Sequence, residues 1–261
     1  MLRPRIIPCL LVKNGGLVKT VNFGESKYVG DPINAVRIFN EKEVDEIIVV
    51  DIDAARERRE PNYALIRSLA AECRMPLCYG GGVRTAEQFQ RLVSLGVEKV
   101  AISSAAVETP ELVTEAAEKV GSQSVAVVMD VKKAGLLGSY RVFTYNGTKN
   151  AGLDPVDFAK RMDALGAGEI IVNSIDRDGA MKGYDLELIK RVRAATSRPM
   201  TVLGGAGSLQ DMTAVLQAVG RIGVAAGSLF VFKGVYRAVL INYPTRAEKD
   251  ALIRQVMPGA A

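Results

Sequence analysis

Short apolar runs rich in β-branched residues alternate with amphipathic stretches along the whole chain. The apolar runs have the length and composition of buried strands, and the stretches between them carry the apolar spacing of helices. Strands are predicted at 5–12, 46–52, 76–82, 99–104, 124–131, 169–175, 200–207 and 222–230. Helices are predicted at 33–43, 62–73, 85–96, 110–121, 154–166, 186–196 and 209–220. This alternation predicts a single α/β domain over residues 1–261, a (β/α)8 TIM barrel, with an open doubly wound sheet as the alternative.

The second half of the chain repeats short motifs of the first half. The segment "VVDID" at 49–53 returns as "VNSID" at 172–176, "YGGGV" returns as "LGGAG", and "AISSA" returns as "VAAGS". The repeat predicts two half-barrels, about 1–121 and 122–261. Two similar halves that close on each other would give the mouth of the barrel an approximate twofold symmetry.

Composition narrows the class of protein. The hydrophobic content of 48% supports a large core, and the net charge of +5 mildly favours an anionic ligand. The basic residues are scattered, so we expect no nucleic-acid partner. No apolar run nears the roughly 20 residues that span a bilayer, and the N-terminus lacks the pattern of a signal peptide, so we expect a cytoplasmic protein without a membrane anchor.

The chain contains no histidine and three cysteines, Cys9, Cys73 and Cys78. The absence of histidine excludes a Ser-His or Cys-His nucleophile and a His-ligated metal, so we expect neither a metal nor a cofactor. The odd number and irregular spacing of the cysteines predict reduced thiols. Acid–base chemistry near neutral pH must then come from carboxylates, lysines, tyrosines or water.

Turns rich in glycine and serine follow several of the predicted strands. In a barrel these turns lie at the C-terminal face, where backbone N–H groups and helix N-termini favour anions. The residues predicted to bind phosphate are Gly81, Gly82, Ser103 and Ser104 in the first half and Asp178, Gly179, Gly204, Gly205, Gly227 and Ser228 in the second. Their matching positions predict a ligand with a phosphate at each end. Glycines that only permit tight turns are the alternative.

The motifs together resemble those of the HisF family, the cyclase subunits of imidazole glycerol phosphate synthase. The matching stretches include "RIIPCL", "VKTVNF", "DEIIVVDI", "YGGGV", "FTYNGTKN", "GAGEIIVNSIDRDG" and "GGAG", and they cover almost the whole chain. The resemblance implies a barrel of two half-barrels that receives ammonia from a separate, HisH-like glutaminase. Members of this family use the ammonia to split a bisphosphorylated ribonucleotide and to close an imidazole ring. A chain without histidine cannot supply the Cys-His pair of such a glutaminase.

Charged residues stand at the start of four predicted strands, and they are Arg5, Glu46, Lys99 and Glu169. Strand alternation places Lys99 on the same face as Ser103, and Glu169 on the same face as Asn173. If those faces line the barrel axis, the four charges must pair with one another to tolerate burial. Ordinary polar strand ends are the alternative. The resemblance implies that the four form the gate through which ammonia enters, and that Glu98 faces the glutaminase at the N-terminal face.

One position departs from the family pattern. The family carries an aspartate where this chain has Leu11, and the resemblance implies that this aspartate and Asp130 form the catalytic acid–base pair. Only Asp130 remains as a predicted catalytic residue. Loss of a general acid or base typically costs about 10²–10⁴-fold in rate, so the cyclase chemistry is expected to be impaired. The other residues predicted for the substrate loop and mouth are Lys19, Asp51, Asp53, Asn173 and Asp176, and Asp53 is the candidate substitute carboxylate.

Three hypotheses about function follow. The first, implied by divergent HisF-like paralogues, is a subunit that channels ammonia for amidination of a nucleotide-linked N-acetyl sugar of surface polysaccharide, together with a glutaminase and an N-acetyl-sugar amidotransferase. The second is a cyclase of histidine biosynthesis that works with Asp130 and a substitute carboxylate. The third is a scaffold without chemistry that binds a phosphorylated ligand and activates the glutaminase. A phosphoribosyl isomerase of the same half-barrel type is a more distant alternative.

Overall fold

The computed structural model describes residues 3–135 and 138–256. Its centre is a ring of eight parallel strands, which are β1 (Arg5–Lys13), β2 (Ile47–Asp51), β3 (Leu77–Gly80), β4 (Lys99–Ile102), β5 (Val125–Ala134), β6 (Glu169–Ser174), β7 (Met200–Leu203) and β8 (Gly223–Ala226). Each strand pairs with the next, and β8 pairs with β1. The predicted (β/α)8 barrel is therefore confirmed. The division into half-barrels stays a prediction.

Helices form the outer layer of the barrel. They are α1 (Pro32–Glu41), α2 (Tyr63–Glu72), α3 (Ala86–Ser94), α4 (Ser104–Glu108), α5 (Leu112–Val120), α6 (Pro155–Ala164), α7 (Leu186–Ala195), α8 (Leu209–Val219), α9 (Ser228–Val231) and α10 (Arg246–Val256). Polar side chains fix several helix starts: Thr85 and Ser208 each accept a hydrogen bond from the third residue of the helix and complete a capping box. These caps hold the turns between the strand ends and the helices in one conformation.

The apolar side chains form two separate layers. The larger layer lies between the strands and the helices. The smaller layer lies inside the barrel and consists of Ile7, Cys9, Ile48, Cys78, Ala101, Ala126, Ile171 and Ala225, with Leu11, Val50, Val128 and Leu203 packed against it. Alternation along each strand explains both layers, because successive side chains point to opposite faces. The inner layer separates the floor of the barrel, at the strand N-termini, from the mouth at the strand C-termini.

Three antiparallel additions extend the barrel beyond the predicted elements. Gly16–Lys19 pairs with β1 and with Lys27–Gly30, Ser139–Thr144 pairs with the long β5, and Phe232–Lys233 pairs with Ala238–Val239. All three follow the C-terminal end of a barrel strand, so they build the wall of the mouth.

Several predicted boundaries are wrong. The strands predicted at 76–82, 200–207 and 222–230 are shorter, because glycine-rich turns end β3, β7 and β8 within four residues. Most of the short helix α9 and the first residue of α4 fall in segments predicted as strands, and α10 is not among the predicted helices. In the parts of the chain that the structure describes, no helix is both long and apolar enough to cross a membrane.

Candidate functional site

Four charged side chains form a closed ring at the floor of the barrel. Arg5 contacts the carboxylates of Glu46 and Glu169, with 2.7 Å between its Nη2 and Glu169 Oε1. Lys99 contacts the same two carboxylates from the other side, and its Nζ lies 2.8 Å from an oxygen of each. Positive and negative charges therefore alternate around the ring. The structure brings together the four residues that the sequence placed at strand starts.

Burial and pairing together set the charge states of this ring. Glu46 and Glu169 are each 3% exposed. Burial alone would raise the pKa of Glu169, but Arg5 and Lys99 outweigh it and hold the pKa at about 2. Burial alone would lower the pKa of Lys99, but Glu169 and Glu46 more than offset it and raise the pKa. Arg5, Lys99 and Glu169 are thus ionised at neutral pH, and each depends on its neighbours.

The environment of the ring differs above and below. Above it lies the inner apolar layer, whose members are mostly small: Cys9, Cys78, Ala101, Ala126 and Ala225. Below it the surface is polar, and Glu98, immediately before Lys99, is exposed there. The ring is therefore the boundary between the outer surface of the floor and an apolar lumen.

At the other end of the barrel a cavity of about 410 Å³ opens at the mouth. Most of the predicted site residues line it, namely Lys19, Asp51, Asp53, Gly81, Gly82, Ser103, Ser104, Asp130, Asn173, Asp178, Gly227 and Ser228. Cavities of this size and position are where barrel proteins hold small ligands.

Asp130 lies near the end of β5 and faces this cavity. Asn173 Nδ2 donates to its Oδ1 at 2.9 Å, and Ser103 Oγ donates to its Oδ2 at 3.2 Å. Burial raises the pKa of Asp130 to about 6, although both hydrogen bonds oppose the rise. A carboxyl group in this state can both give and take a proton near neutral pH.

Leu11 lies across the cavity from Asp130. β1 and β5 are four strands apart in the ring of eight, and both side chains line the cavity. Leu11 packs against the inner apolar layer and offers no proton. The cavity therefore has an acid–base group on one wall and a hydrocarbon surface on the opposite wall.

Lys19 is 5% exposed and reaches from the hairpin after β1 across to β8. Its Nζ donates to the carbonyl oxygen of Cys9 at 2.6 Å and lies against Gly227. Burial lowers the pKa of Lys19, and Asp178 opposes that shift. Burial raises the pKa of Asp178. An amine and a carboxylate thus already occupy the space beside the second predicted phosphate turn.

Four predicted residues do not line the cavity: Asp176, Gly179, Gly204 and Gly205. Asp176 is exposed and accepts a hydrogen bond from the backbone N–H of Lys133 at 2.9 Å. Gly204 has a φ of 89°, and a Cβ there would lie 2.5 Å from the carbonyl oxygen of Ser174. Gly179 and Gly205 are also tightly packed against backbone. All three glycines permit tight turns, and their role as phosphate contacts stays a prediction.

The two serines of the first phosphate turn are also engaged. Ser103 donates to Asp130, and Ser104 Oγ accepts from the backbone N–H of Tyr145 at 3.1 Å. Asp51 is paired with Arg59, with 3.2 Å between the closest atoms. These contacts tie the first turn to Asp130, to Tyr145 and to the loop after β2.

Sequence reasoning missed the cations of the mouth. Lys13, Arg56, Arg58 and Arg84 all line the cavity. The signal was present in the charged run "RERR" directly after the second predicted strand. Among residues 3–135 and 138–256, no group of three or more acidic or cysteine side chains converges as a metal site would require.

The fold and the site define a class: a (β/α)8 barrel with a charged ring at its floor and an acidic group in a cavity at its mouth. The family described as "Histidine biosynthesis protein" matches residues 5–237. A Leptospira interrogans protein named "Putative imidazole glycerol phosphate synthase subunit HisF" is 58% identical over 252 residues, 97% of this chain and 99% of that protein.

Two further relatives extend this comparison. The "Putative imidazole glycerol phosphate synthase subunit hisF3" of Vibrio vulnificus is 55% identical over 95% of this chain and 96% of its own length. The "Imidazole glycerol phosphate synthase subunit HisF" of Lactococcus lactis is 43% identical over 88% of this chain and 89% of its own length. The chain therefore belongs to the histidine biosynthesis protein family and, within it, to the HisF family.

Proposed function

We propose that this chain is the synthase subunit of a glutamine amidotransferase, which takes ammonia at its floor and uses it on a phosphorylated ligand at its mouth. The observation that carries the proposal is the placement of the charged ring and of Asp130 at opposite ends of one barrel axis. The partner is a separate HisH-like glutaminase, as the resemblance to HisF implies. The proposed interface is the N-terminal face, where Glu98 is exposed beside the ring.

The floor suits neutral ammonia better than ammonium. The ring presents two cations to an arriving ligand, and the lumen above it is lined by alanine, cysteine and isoleucine. A cation loses its hydration in such a lumen at a large cost, whereas a small neutral molecule does not. Opening requires that one ring contact breaks, and Lys99 is the candidate because a single ammonium can swing away while Arg5 still holds both carboxylates.

The mouth supplies the chemistry. A group with a pKa near 6 can exchange a proton close to physiological pH, and Asp130 is such a group. Gly81, Gly82, Gly227 and Ser228 are the proposed anion contacts that remain, since they line the cavity. In this arrangement the ligand is fixed by its charged groups while Asp130 transfers protons at the reacting centre.

The names of the relatives favour one reaction over the other. They are imidazole glycerol phosphate synthase subunits, which supports the cyclase reaction: ammonia-dependent cleavage of a bisphosphorylated ribonucleotide with closure of an imidazole ring. In this reading Asp130 acts with a second group, and Asp53 is the candidate since it is buried in the wall of the cavity. We take the cyclase reaction as the first candidate.

A specific observation favours a second candidate, amidination of a nucleotide-linked N-acetyl sugar with a sugar amidotransferase as a further partner. Leu11 places hydrocarbon on the wall opposite Asp130, where the HisF resemblance implies a carboxylate. Two of the similar relatives also carry numbered names, hisF3 and hisF2. Numbered copies are consistent with a copy that has left the histidine pathway.

Complementation separates the two candidates. The chain is expressed with its glutaminase in a bacterial strain that lacks the histidine cyclase, and growth without histidine is scored. Growth would support the cyclase reaction and reject the hypothesis that the chain has lost this activity. If growth fails, the Leu11→Asp variant is tested in the same strain. Growth of that variant alone would identify the missing carboxylate as the cause.

The gate is tested by measuring how tightly glutamine hydrolysis is coupled to product formation. In the complex with the glutaminase, Lys99→Ala is expected to lower the amount of product formed per glutamine hydrolysed, because ammonia escapes at the broken ring. Lys119→Ala is the matched control, since Lys119 is an exposed lysine that pairs with Glu87 away from the axis. Equal coupling in both variants would reject the gate.

A further inference from the structure

The cations of the mouth are unevenly distributed between its two halves. Lys13, Arg56, Arg58 and Arg84 line the cavity beside the ends of β1, β2 and β3. On the second-half side, the lining cation is Lys19, whose Nζ is held by the carbonyl of Cys9 and faces Asp178. The predicted twofold symmetry of the mouth therefore does not extend to its charge.

Carboxylates neutralise only part of this cluster. Lys13 and Arg56 share the carboxylate of Asp53, at 3.4 Å and 3.1 Å. The Oδ2 of Asp53 is buried and accepts no hydrogen bond from the described residues. Two further carboxylates line the cavity nearby: Asp51 is engaged by Arg59, and Glu108 accepts a hydrogen bond from the hydroxyl of Tyr145. Two cations thus compete for one carboxylate, and positive charge is left over.

Arg58 and Arg84 form no ion pair with any carboxylate in residues 3–135 or 138–256. Arg84 Nη2 donates to the backbone carbonyl of Arg59 at 3.2 Å, which leaves its other N–H groups free to bind. The hydrogen bond to Glu108 raises the pKa of Tyr145, and both Arg58 and Arg84 oppose that rise. Both guanidinium groups therefore act on the same phenol, and the guanidinium of Arg84 contacts the carbonyl of Arg59, the residue next to Arg58.

The backbone holds this cluster in place. A Cβ on Gly82 would lie 2.6 Å from the carbonyl oxygen of Arg59, so the turn after β3 packs directly on the loop after β2. Arg58 adopts a φ of 54°, which is unfavourable for a long side chain. Such strained positions persist where the surroundings fix them, and they concentrate at ligand sites.

We propose that Arg58 and Arg84, with Lys13 and Arg56, bind a diphosphate group, so that the ligand of this barrel carries two adjacent phosphates. Planar guanidinium groups bind phosphate oxygens in pairs, and two adjacent guanidinium groups match two adjacent phosphates. The second half, with one buried amine beside Asp178, suits at most a single phosphate. This inference deepens the proposed function, on which it rests for the location of the ligand, and it favours the nucleotide-linked substrate.

The test is direct binding, measured by isothermal titration of the whole chain with inorganic pyrophosphate and orthophosphate at matched ionic strength, and then with UDP and UMP. We expect pyrophosphate to bind about tenfold more tightly than orthophosphate, or better, because the second phosphate gains charge-assisted hydrogen bonds. In Arg58→Gln/Arg84→Gln this preference should disappear, while orthophosphate binding changes little. Both arginines are exposed, so the double variant keeps the fold, which circular dichroism checks.

Lys182→Gln/Arg237→Gln is the matched control, because it removes two exposed positive charges that follow β6 and β8 in the second half. The control should keep the preference for pyrophosphate. The proposal is overturned if pyrophosphate binds no more tightly than orthophosphate, or if both double variants lose the preference equally. Failure of the coupling and complementation experiments would leave this binding result unaffected, so the two proposals can fail separately.

Discussion

The floor and the mouth of this barrel both contain charged side chains, but the two ends treat charge in opposite ways. At the floor each carboxylate has two cationic partners, and pairing lowers the pKa of Glu169 to about 2. At the mouth, burial raises the pKa of Asp130 to about 6, and its neighbours are the neutral side chains of Ser103 and Asn173.

The difference shows where a ligand is needed. At the floor each charged side chain of the ring is paired with others in the ring, so the floor is stable without a ligand. It can therefore act as a closed barrier. The mouth leaves a carboxyl group poorly solvated and two arginines without carboxylate partners in the described chain. Poorly satisfied groups of this kind cluster at functional sites, because a ligand supplies the missing contacts. Substitutions that remove one charge should therefore have opposite effects on stability at the two ends.

The largest effect is expected for Glu169→Gln at the floor. The substitution leaves Arg5 and Lys99 with Glu46 as their remaining ring partner, and breaking a buried ion pair typically costs about 3–5 kcal/mol. The free energy of unfolding at pH 7, from urea titration, should fall by about 3 kcal/mol. Because the pKa of Glu169 is depressed, its contribution is present above the pKa of the unfolded chain and is lost as the pH falls toward 2.

Glu98→Gln provides the control, since Glu98 is exposed and adjoins Lys99. Its unfolding free energy should change by less than about 0.5 kcal/mol. The difference between wild type and Glu169→Gln should narrow when both are measured from pH 4.5 down to pH 3. A loss that is the same for both glutamines, or that does not depend on pH, would contradict the assignment of a buried ring.

Much of the floor could be predicted from the sequence. Strand alternation has a fixed period, so a charge at the start of a strand and a polar residue four positions later must share a face. That reasoning placed Lys99 with Ser103 and Glu169 with Asn173. In the structure Lys99 begins β4 and Ser103 directly follows it, and the second pair lies on β6. The barrel could be predicted for the same reason, because strands and helices each have a fixed period of apolar residues in the sequence.

The mouth was less predictable because its contacts come from loops. Gly204 and Gly82 look alike in the sequence, but Gly82 lines the cavity while Gly204 does not. Which turn faces the ligand depends on long-range packing, such as that of Gly204 on the backbone of Ser174. The partners of Arg58 and Arg84 likewise depend on loops with no periodic pattern.

The next effect in size is a gain of stability from Asp130→Asn at the mouth. Burial raises the pKa of Asp130 to about 6 in the folded chain, so ionisation at pH 8 costs roughly 3 kcal/mol. Asparagine avoids that cost. The amide of Asn173, whose Oδ1 accepts no hydrogen bond from the described residues, can turn to accept from the new side chain.

Urea titration at pH 8 should show the Asp130→Asn variant about 1–2 kcal/mol more stable than wild type. The gain should shrink as the pH falls from 6 to 4. Over this range the wild-type carboxyl is protonated in the folded chain, and near pH 4 it becomes protonated in the unfolded chain too. Asp157→Asn is the control: Asp157 is exposed in the first turn of α6, so its loss should cost a few tenths of a kcal/mol. A destabilised Asp130→Asn variant at pH 8 would contradict the contrast between the two ends.

The smallest effect concerns the hydrogen bond that completes the floor. Thr201 is fully buried on β7, and its Oγ1 donates to Glu169 Oε1 at 2.5 Å. Gly223 on β8 leaves room for this hydroxyl, because a Cβ there would collide with it. Thr201→Val keeps the shape and removes the donor, and Glu169 still has Arg5 and Lys99. The loss should therefore be about 1 kcal/mol, well below that of Glu169→Gln.

Thr213→Val is the matched control for that substitution. Its hydroxyl donates only to the carbonyl of Leu209 one turn earlier in α8, at 3.1 Å, so the loss should be within about 0.5 kcal/mol. In the double variant Thr201→Val/Glu169→Gln the two losses in unfolding free energy should not add. Once residue 169 is glutamine, the Thr201 hydroxyl donates to a neutral amide and no longer to a carboxylate, so its removal costs less. Additive losses would mean that Thr201 acts through packing, and the floor would be a ring of four charged residues without a fifth member.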